Sequence, residues 1–439
     1  MKMQNITRSK NWLIAFIVFI ASLLAVPAFA QQDDQKTTII TAARMLDVRT
    51  GTMVSNPAIF VNADGRITSI SDMSVIDIAA DTPVIDLGNR TLLPGLIDMH
   101  VHLDGRPEYG GYSNLQFSDR FWSAIAASNA DKMLAVGFTT VRNLGASDYN
   151  VVGLDQAIEE GWLKGPRIVT AAHALGATGG HCDQTFLPPS YNAKSPAIGD
   201  SPNELRKRVR EQRKYGAEVI KACATGGVFS RNTAPGIQQL TLAELTAIAD
   251  EAHFWDLKAA AHAHGASGIL AAIQAGFDTI EHASFIDDAG IKLAKEKGTY
   301  LSMDIFNTEY TLSKGAENGV LEENLDKERA VSKVQRENFT KAYRAGVNMV
   351  FGSDAGVMPH EDVGGQFAVM VRLGMSPLDA LRAATINASA ALGHSNDVGE
   401  IKIGAYADII AVDGNPLDDI RLMESVSAVI KGGILVKGQ

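Results

Sequence analysis

The feature that most constrains this chain is an alternation, sustained across residues 95–392, of short apolar runs with longer segments of helical period. Strand-like runs fall at 95–103, 139–144, 167–171, 218–224, 259–264, 279–283, 300–304 and 348–354; helical stretches such as 243–254, 268–275, 326–344 and 377–392 follow most of them. Strands that are apolar along their length must be covered on both faces, and parallel strands need a crossover to join them, so the pattern predicts βα units. Eight such units in a row predict an α/β chain closed into a (β/α)8 TIM barrel, with an open doubly wound sheet as the alternative. Long loops at 173–202 and 225–240 leave the C-terminal ends of the third and fourth strands. In a barrel that end carries the active site, and loops of this length are more often functional than accidental.

The two ends of the chain read differently. Short β segments at 38–42, 58–61, 67–70 and 83–87, with an Asp64-Gly65 turn, precede the alternating region, and 408–412 and 427–436 follow it. Neither group is large enough to bury a core alone, so the pattern predicts one small β-sandwich built from both ends. The expected division is residues 31–93 and 396–439 for the sandwich and 94–395 for the barrel. Before them, Lys2, Arg8 and Lys10 lead into an apolar run, 13–26, that ends in Pro27-Ala28-Phe29-Ala30. A basic start, a short apolar centre and small residues at the end predict a secretory signal over 1–30 and a mature protein in the periplasm or outside the cell. No cysteine stands directly after Ala30, so no lipid anchor is expected, and after cleavage no membrane association. Cleavage would remove three cations and no anion, moving the formal net charge from -10 to -13. That acidic balance gives no electrostatic reason to bind nucleic acid. Export would permit a disulfide between the only two cysteines, Cys182 and Cys223, but two cysteines do not decide their own pairing.

The chemistry is concentrated at strand ends. In Pro-Gly-Leu-Ile-Asp-Met-His-Val-His (94–102), His100 and His102 lie two apart on a strand and face the same side. Such a pair is half a metal site, though one His-x-His is commonplace. Lys221 falls inside a run that would be buried as the fourth strand. A buried ammonium is costly, so this lysine must be neutral, paired with a carboxylate, extended to solvent, or modified; a neutral amine can add carbon dioxide to become a carbamate that bridges two cations. His262 and His264 share a face at the end of the fifth strand, His282 ends the sixth, and Asp354 ends the eighth. Packing has no use for that many ionisable tips on apolar strands. Together they point to a metal centre.

The motif order resembles the amidohydrolase superfamily, in its binuclear subtype with a carboxylated lysine. The resemblance runs from about residue 39 to 436 and rests on 94–102, Thr-Thr-Val-Arg (139–142), Val-Ile-Lys (219–221), His-Ala-His-Gly (262–265), Ile-Glu-His (280–282), Gly-Ser-Asp-Ala-Gly (352–356) and Ala-Ala-Thr-Ile-Asn-Ala-Ser (383–389). It is most similar to the imidazolonepropionase-like group, which includes Xaa-Pro and Xaa-Arg/Lys dipeptidases and ochratoxin-hydrolysing amidases. The resemblance implies that His100, His102 and Asp354 hold one divalent ion, His262 and His282 a second, and carboxylated Lys221 bridges them, with zinc the expected metal and a hydroxide shared between the two. It also implies Asp354 as general base and then acid, with His181 or His264 polarising the scissile carbonyl. Relatives carry tyrosine where this chain has His264, so the role of His264 stays open.

Other residues are weaker candidates. His181, in a glycine-rich loop, His264, Arg231 with Asn232, and His360 are candidates to contact substrate, Arg231 because a guanidinium matches carboxylate geometry. Arg142 is expected as a buried structural ion pair, His173 as packing beneath the site, His253 and His394 as structural, and Phe117, Phe121 and Trp122 as a helix face in the core. The leading expectation is a metal-dependent amidase or dipeptidase of carboxypeptidase type, releasing the C-terminal residue from dipeptides or N-acyl amino acids. The alternatives are a cyclic amide hydrolase and a periplasmic binding module without catalysis. The partner is a small molecule or dipeptide, and a homo-oligomer is compatible.

Overall fold

A computed structural model describes residues 37–438; the expected signal over 1–30 lies outside the described residues. Two groups of parallel strands run through the middle of the chain. The first is β1 (Leu96–Val101), β2 (Phe138–Asn143) and β3 (Arg167–Thr170); the second is β4 (Val219–Cys223), β5 (Lys258–Ala263), β6 (Thr279–His282), β7 (Tyr300–Ser302) and β8 (Asn348–Val350). Each of the eight runs expected here overlaps its strand, the last two stopping short of the expected ends at 304 and 354, whereas the run 427–436 near the chain's end divides into two strands. In both arcs the spatial order follows the chain order, with none of the reversal that marks a doubly wound sheet. Backbone hydrogen bonds also cross both seams between the arcs: Met99 N donates to Phe351 O and Glu218 N to Thr170 O, each at 2.8 Å. All eight C-terminal ends point one way because the strands are parallel.

Helices cover the outer faces. Thr241 caps Leu242–Phe254, its hydroxyl accepting from Glu244 N while the Glu244 carboxylate accepts from Thr241 N, so two of the helix's orphan donors are satisfied. Leu205, Leu245, Ile269 and Phe339 bring the apolar stripes of four helices into one core with Ile220, Ile280 and Leu301 of the strands. The helical stretch 377–392 is two helices, Pro377–Ala383 and Ile386–Leu392, because Thr385 leaves helical geometry between them. Phe117, Phe121 and Trp122 are not in the core. They form a half-buried cluster with Tyr109, in which Phe117 precedes the helix Asp119–Ala135 rather than lying on it. Among the described residues no helix is long and apolar enough to cross a membrane.

The chain ends meet in two further sheets. Ile67–Asp72, Pro57–Val61, Thr38–Thr41 and Val84–Asp86 form one; Ile434–Lys437, Ala428–Lys431, Ile409–Val412, Thr91–Pro94, Arg44–Asp47 and Thr52–Ser55 form the other, in those orders. The second sheet thus mixes strands from both ends, and Ile40, Ile59, Val61 and Ile67 pack against Leu92, Ile409 and Ile430 between the sheets. Three strands went unforeseen. Arg44–Asp47 and Thr52–Ser55 are too short and too polar to show a period of two, and Thr91–Pro94 reads in sequence as part of the run that becomes β1. Gly95 separates them: a Cβ there would lie 2.1 Å from Thr139 Oγ1, so only glycine lets the chain pass into β1 against β2.

Candidate active site

The parallel register delivers the ionisable tips to one end of the strands. His262 lies opposite Cys223 across β4 and β5, and His282 opposite Ala263 across β5 and β6. Asp354 N donates to His100 O at 2.8 Å, which pins the turn after β8 against β1. There the Asp354 Oδ1 stands 3.3 Å from His100 Nε2 and 3.4 Å from His102 Nε2. Three sets of side chains offer ligand atoms close enough to hold a metal ion: His100, His102 and Asp354; His262, His264 and His282; and His282, Asp304 and Asp354. Asp354 and His282 each belong to two sets, so the sets are contiguous.

Hydrogen bonds settle which ring nitrogens are free. His102 Nδ1–H donates to the Gly145 carbonyl at 3.0 Å, leaving Nε2 as the ring atom that faces Asp354. His282 Nδ1–H donates to the Asp304 carboxylate at 3.0 Å, and His262 Nε2–H donates to the Gly226 carbonyl at 3.2 Å. Carbonyl and carboxylate partners of this kind orient metal-ligating imidazoles in metalloproteins. Burial opposes the imidazolium of His282, yet the Asp304 charge outweighs it and raises the pKa; Asp354 does the same for His102. For His100 burial, then the Lys221 charge, lowers the pKa to about 4, and the neighbouring Asp354 and Glu281 do not make up the difference. Burial lowers His181 to about 3, and holds His262 and His264 well below the ordinary range. At neutral pH His100, His181, His262 and His264 are therefore neutral imidazoles, each with a lone pair to offer, as metal ligation requires.

Beneath the tips lies a polar layer that the sequence reading named only in part. Arg142 is fully buried; its guanidinium donates to Met99 O at 2.6 Å, Thr279 Oγ1 at 3.0 Å and Glu281 Oε1 at 2.7 Å, the structural pair expected of it. Glu281 Oε2 lies 3.3 Å from His100 Nδ1. The Asp98 carboxylate accepts from His100 N and Ser353 N, tying β1 to the turn that carries Asp354, and burial pushes its pKa up to about 7. That turn is strained at Asp354, with φ +57°, and the end of β6 is strained at His282, with φ +67°; such left-handed values cost a non-glycine residue energy and cluster at functional sites. The two glycines of the 352–356 motif follow from contact. A Cβ on Gly352 would meet Ser302 Oγ at 2.1 Å, and one on Gly356 would meet His102 O at 2.7 Å.

The tips open into a cavity of about 210 Å³ lined by His100, His102, Lys221, His262, His282 and Asp354, together with His181 and His264. The sequence profile of the amidohydrolase family matches residues 91–436, a span that includes all of these residues. This chain belongs to the amidohydrolase family. The amidohydrolase is 35% identical over 368 residues to ochratoxinase from Aspergillus niger, covering 79% of this chain and 76% of that one. It is 24% identical over 378 residues to imidazolonepropionase from Symbiobacterium thermophilum, covering 79% and 81%. Its structure matches a crystal structure of a Xaa-Pro dipeptidase with bound methionine at a TM-score of 0.86 and 34% identity, over 92% of this chain and 100% of the other. The chain is therefore a hydrolase-family enzyme with a TIM-barrel-type fold and a second domain.

Within the amidohydrolase, two candidates fall away from the cavity. Arg231 does not line it: its guanidinium is committed to Glu323 at 3.0 Å and the Tyr112 hydroxyl at 2.8 Å, so an exposed ion pair answers for it. His360 does not line it either. It is fully buried, and neither ring nitrogen has a hydrogen-bond partner. His173 packs edge-on against Tyr149 and is absent from the lining, and His253 pairs with Asp278. His181 is held on the wall: Nδ1 is 2.8 Å from Ser230 Oγ, its ring stacks on His262 at 4.2 Å, and a Cβ on Gly227 would strike it. The neighbouring Cys182 is disulfide-bonded to Cys223 with Cα atoms 5.8 Å apart, which ties this loop to β4 two residues beyond Lys221. Lys221 is buried, and burial lowers its pKa to about 8; among the described residues its ammonium has no hydrogen bond or ion pair.

Among the polar lining residues that escaped the sequence reading are Asp304, Asn307, Gln335 and Glu328. Asp304 had a signal, since it ends the expected strand 300–304 as the ligand candidates end theirs. Gln335 and Glu328 had none, because on a helix as charged as Glu322–Arg344 a glutamate reads as solvated surface. Burial pushes the Glu328 carboxyl up to about 8, with the Asp304 charge adding to it.

Proposed function

We propose that the amidohydrolase is a metal-dependent amide hydrolase of dipeptidase or carboxypeptidase type, releasing the C-terminal residue from dipeptides or N-acyl amino acids. The observation that carries this reading is the convergence of His100, His102 and Asp354 with His262, His264 and His282 around one cavity. Imidazole and carboxylate donors with fixed tautomers fit divalent ions of the zinc type. His100, His102 and Asp354 would hold one ion and His262 and His282 the other, with Lys221 carboxylated as the bridge. A lysine buried at the cavity with its amine unpartnered supports that modification. When bound, such ions acidify water and polarise a carbonyl.

The chain's own residues then have definite tasks. The Asp354 carboxylate accepts the proton of the attacking water and returns it to the leaving amine. His181 and His264 stand on the wall to donate to the carbonyl oxygen as charge develops there. Asp304 holds His282 in one tautomer, and the Arg142–Glu281 pair holds the layer beneath His100. The reading extends to the whole chain: an exported protein with a signal over 1–30, a sandwich of 31–93 and 396–439, and a barrel of 94–395 whose two arcs close through the seam hydrogen bonds. The test is metal analysis of the mature protein together with a library of dipeptides, N-acyl amino acids and cyclic amides. Two ions per chain and release of C-terminal residues are expected; opening of a cyclic amide alone would refute the dipeptidase reading.

A further inference from the structure

The cavity holds one acidic group to which nothing above gives work. Glu328 is 2% exposed, lines the cavity, and makes no hydrogen bond or ion pair among the described residues; its Oε1 is buried with no partner. The other lining carboxylates are engaged, Asp304 by His282, Asn307 and Gln335, and Asp354 by His100 and His102. Glu328 is also firmly held. It sits in the second turn of Glu322–Arg344, whose first turns are anchored to the 224–241 loop by Asn324 donating to Val228 O and Lys327 donating to Ser230 O.

A buried carboxyl without a partner is destabilising, and proteins keep such a group mainly where a ligand completes it. The charges around it decide which ligand. Asp304 and Asp354 both act on Glu328 as like charges; the opposing influences are His282 and Arg336, and Arg336 is already turned to Thr308 and Glu309. While unpartnered, the Glu328 carboxyl is held up at about 8 by burial and keeps its proton; an ammonium placed against it draws the carboxyl into the ionised form, and the charged hydrogen bond that results is the contact this side chain lacks. Apart from its imidazoles, the described lining offers one cationic side chain, Lys221, which stands on β4 and has the bridging task proposed above; the divalent ions of the proposed function are claimed by His100, His102, Asp354, His262 and His282.

We propose that Glu328 is a specificity-determining residue that receives a protonated amine of the substrate, so that the enzyme prefers amides whose acyl part carries a free ammonium over their N-acylated counterparts. The ammonium can come from the N-terminal α-amino group or from a basic side chain. This rests on the amide-hydrolase reading and narrows its substrate class to those amides whose acyl part keeps a free amine. Charge-assisted hydrogen bonds to a buried carboxylate are the strong ones, so the preference should be large.

The test compares wild type with Glu328→Gln on three substrates: alanyl-alanine, N-acetyl-alanyl-alanine, and N-acetyl-lysyl-alanine. Glutamine keeps the shape but cannot ionise, and it puts an amide donor where one carboxyl oxygen could accept. Wild type should favour an amine-bearing substrate over N-acetyl-alanyl-alanine by about tenfold or more in kcat/KM, with alanyl-alanine preferred if the α-amino group is the source and N-acetyl-lysyl-alanine if the side chain is. Glu328→Gln should erase that preference through KM while leaving N-acetyl-alanyl-alanine within about twofold. Equal losses on all three substrates, or a preference that survives the substitution, would overturn the assignment. If no substrate is cleaved, the proposed function fails by itself, and calorimetric Kd values for the same three compounds on both proteins decide the role of Glu328 by the same ratios. Absence of binding by all three would overturn it as well.

Discussion

The two cores of this molecule are built from similar strands and filled in opposite ways. Between the sheets formed by the chain ends, Ile40, Ile59, Leu92, Ile409 and Ile430 meet with no ionisable group among them. At the C-terminal ends of β1 to β8, the buried space holds His100, His262, His264, His282, Asp304, Asp354, Glu281 and Lys221. The first arrangement gains stability from every side chain it buries. The second takes charged and polar groups out of water, adds left-handed backbone at His282 and Asp354, and leaves Glu328 without a partner. Only binding and catalysis explain keeping it.

That contrast can be broken by substitution, and the largest effect belongs to the pocket. Asp354→Asn should lower kcat by about a thousandfold or more, since it removes the general base proposed above, while the thermal midpoint moves little. Burial opposes the Asp354 charge, yet His100 and His102 hold the carboxyl below its ordinary range, so the substitution loses that pairing together with the cost of burying the charge. Retention of activity would remove Asp354 from the chemistry. Chelation should likewise abolish turnover, with recovery on adding zinc; turnover indifferent to chelators would detach the histidine sets from function.

Stability effects come next. Replacing both Cys182 and Cys223 by serine opens a loop of sequence separation 41, for which the chain-entropy relation gives about 4 kcal/mol, measured by denaturant unfolding. Since the loop also carries His181, activity should fall below that of the oxidised enzyme even where the variant is folded. In the sandwich, Ile59→Ala should cost about 2–5 kcal/mol of stability and leave kcat unchanged, the mirror image of Asp354→Asn. A sandwich variant that lost activity while folded would show that the two cores are not independent.

The smallest effect tests an exposed pair. His253 Nε2 is 2.9 Å from the Asp278 carboxylate, and that hydrogen bond raises the histidine pKa. Stability from a raised histidine is present below its unfolded pKa of about 6.5 and is lost as pH rises through the folded value. For Asp278, burial works against its charge, but His253 and Lys258 hold its pKa down, so its share is present above the unfolded value near 4 and lost at lower pH. His253→Gln should therefore destabilise by about 0.2–1 kcal/mol near pH 5.5 and by nothing measurable near pH 9. A loss of equal size at both would assign it to packing.

Much of this was legible before any coordinates. The eight strands and the ligand candidates at their ends follow from period and position, because a strand has a fixed repeat of two and parallel strands all end on one side. His100, His102, Lys221, His262, His282 and Asp354 could be named for that reason. Residues contributed by helices and by loops without repeat could not. Arg231 and His360 were plausible by chemistry, yet the tertiary structure spends one on Glu323 and buries the other away from the cavity. Glu328 went the other way, from an unremarkable helix glutamate to an unpartnered group on the wall.

Sequence alone determined the alternation that makes the barrel-type core, the membership of the strand-end set and the family to which it points, since these are encoded in short periods along one dimension. The tertiary structure decided which carboxylates complete the set, that Cys182 meets Cys223, and which polar groups remain unsatisfied. Those depend on how segments far apart in the chain approach each other, and burial and charge pairing are properties of that approach.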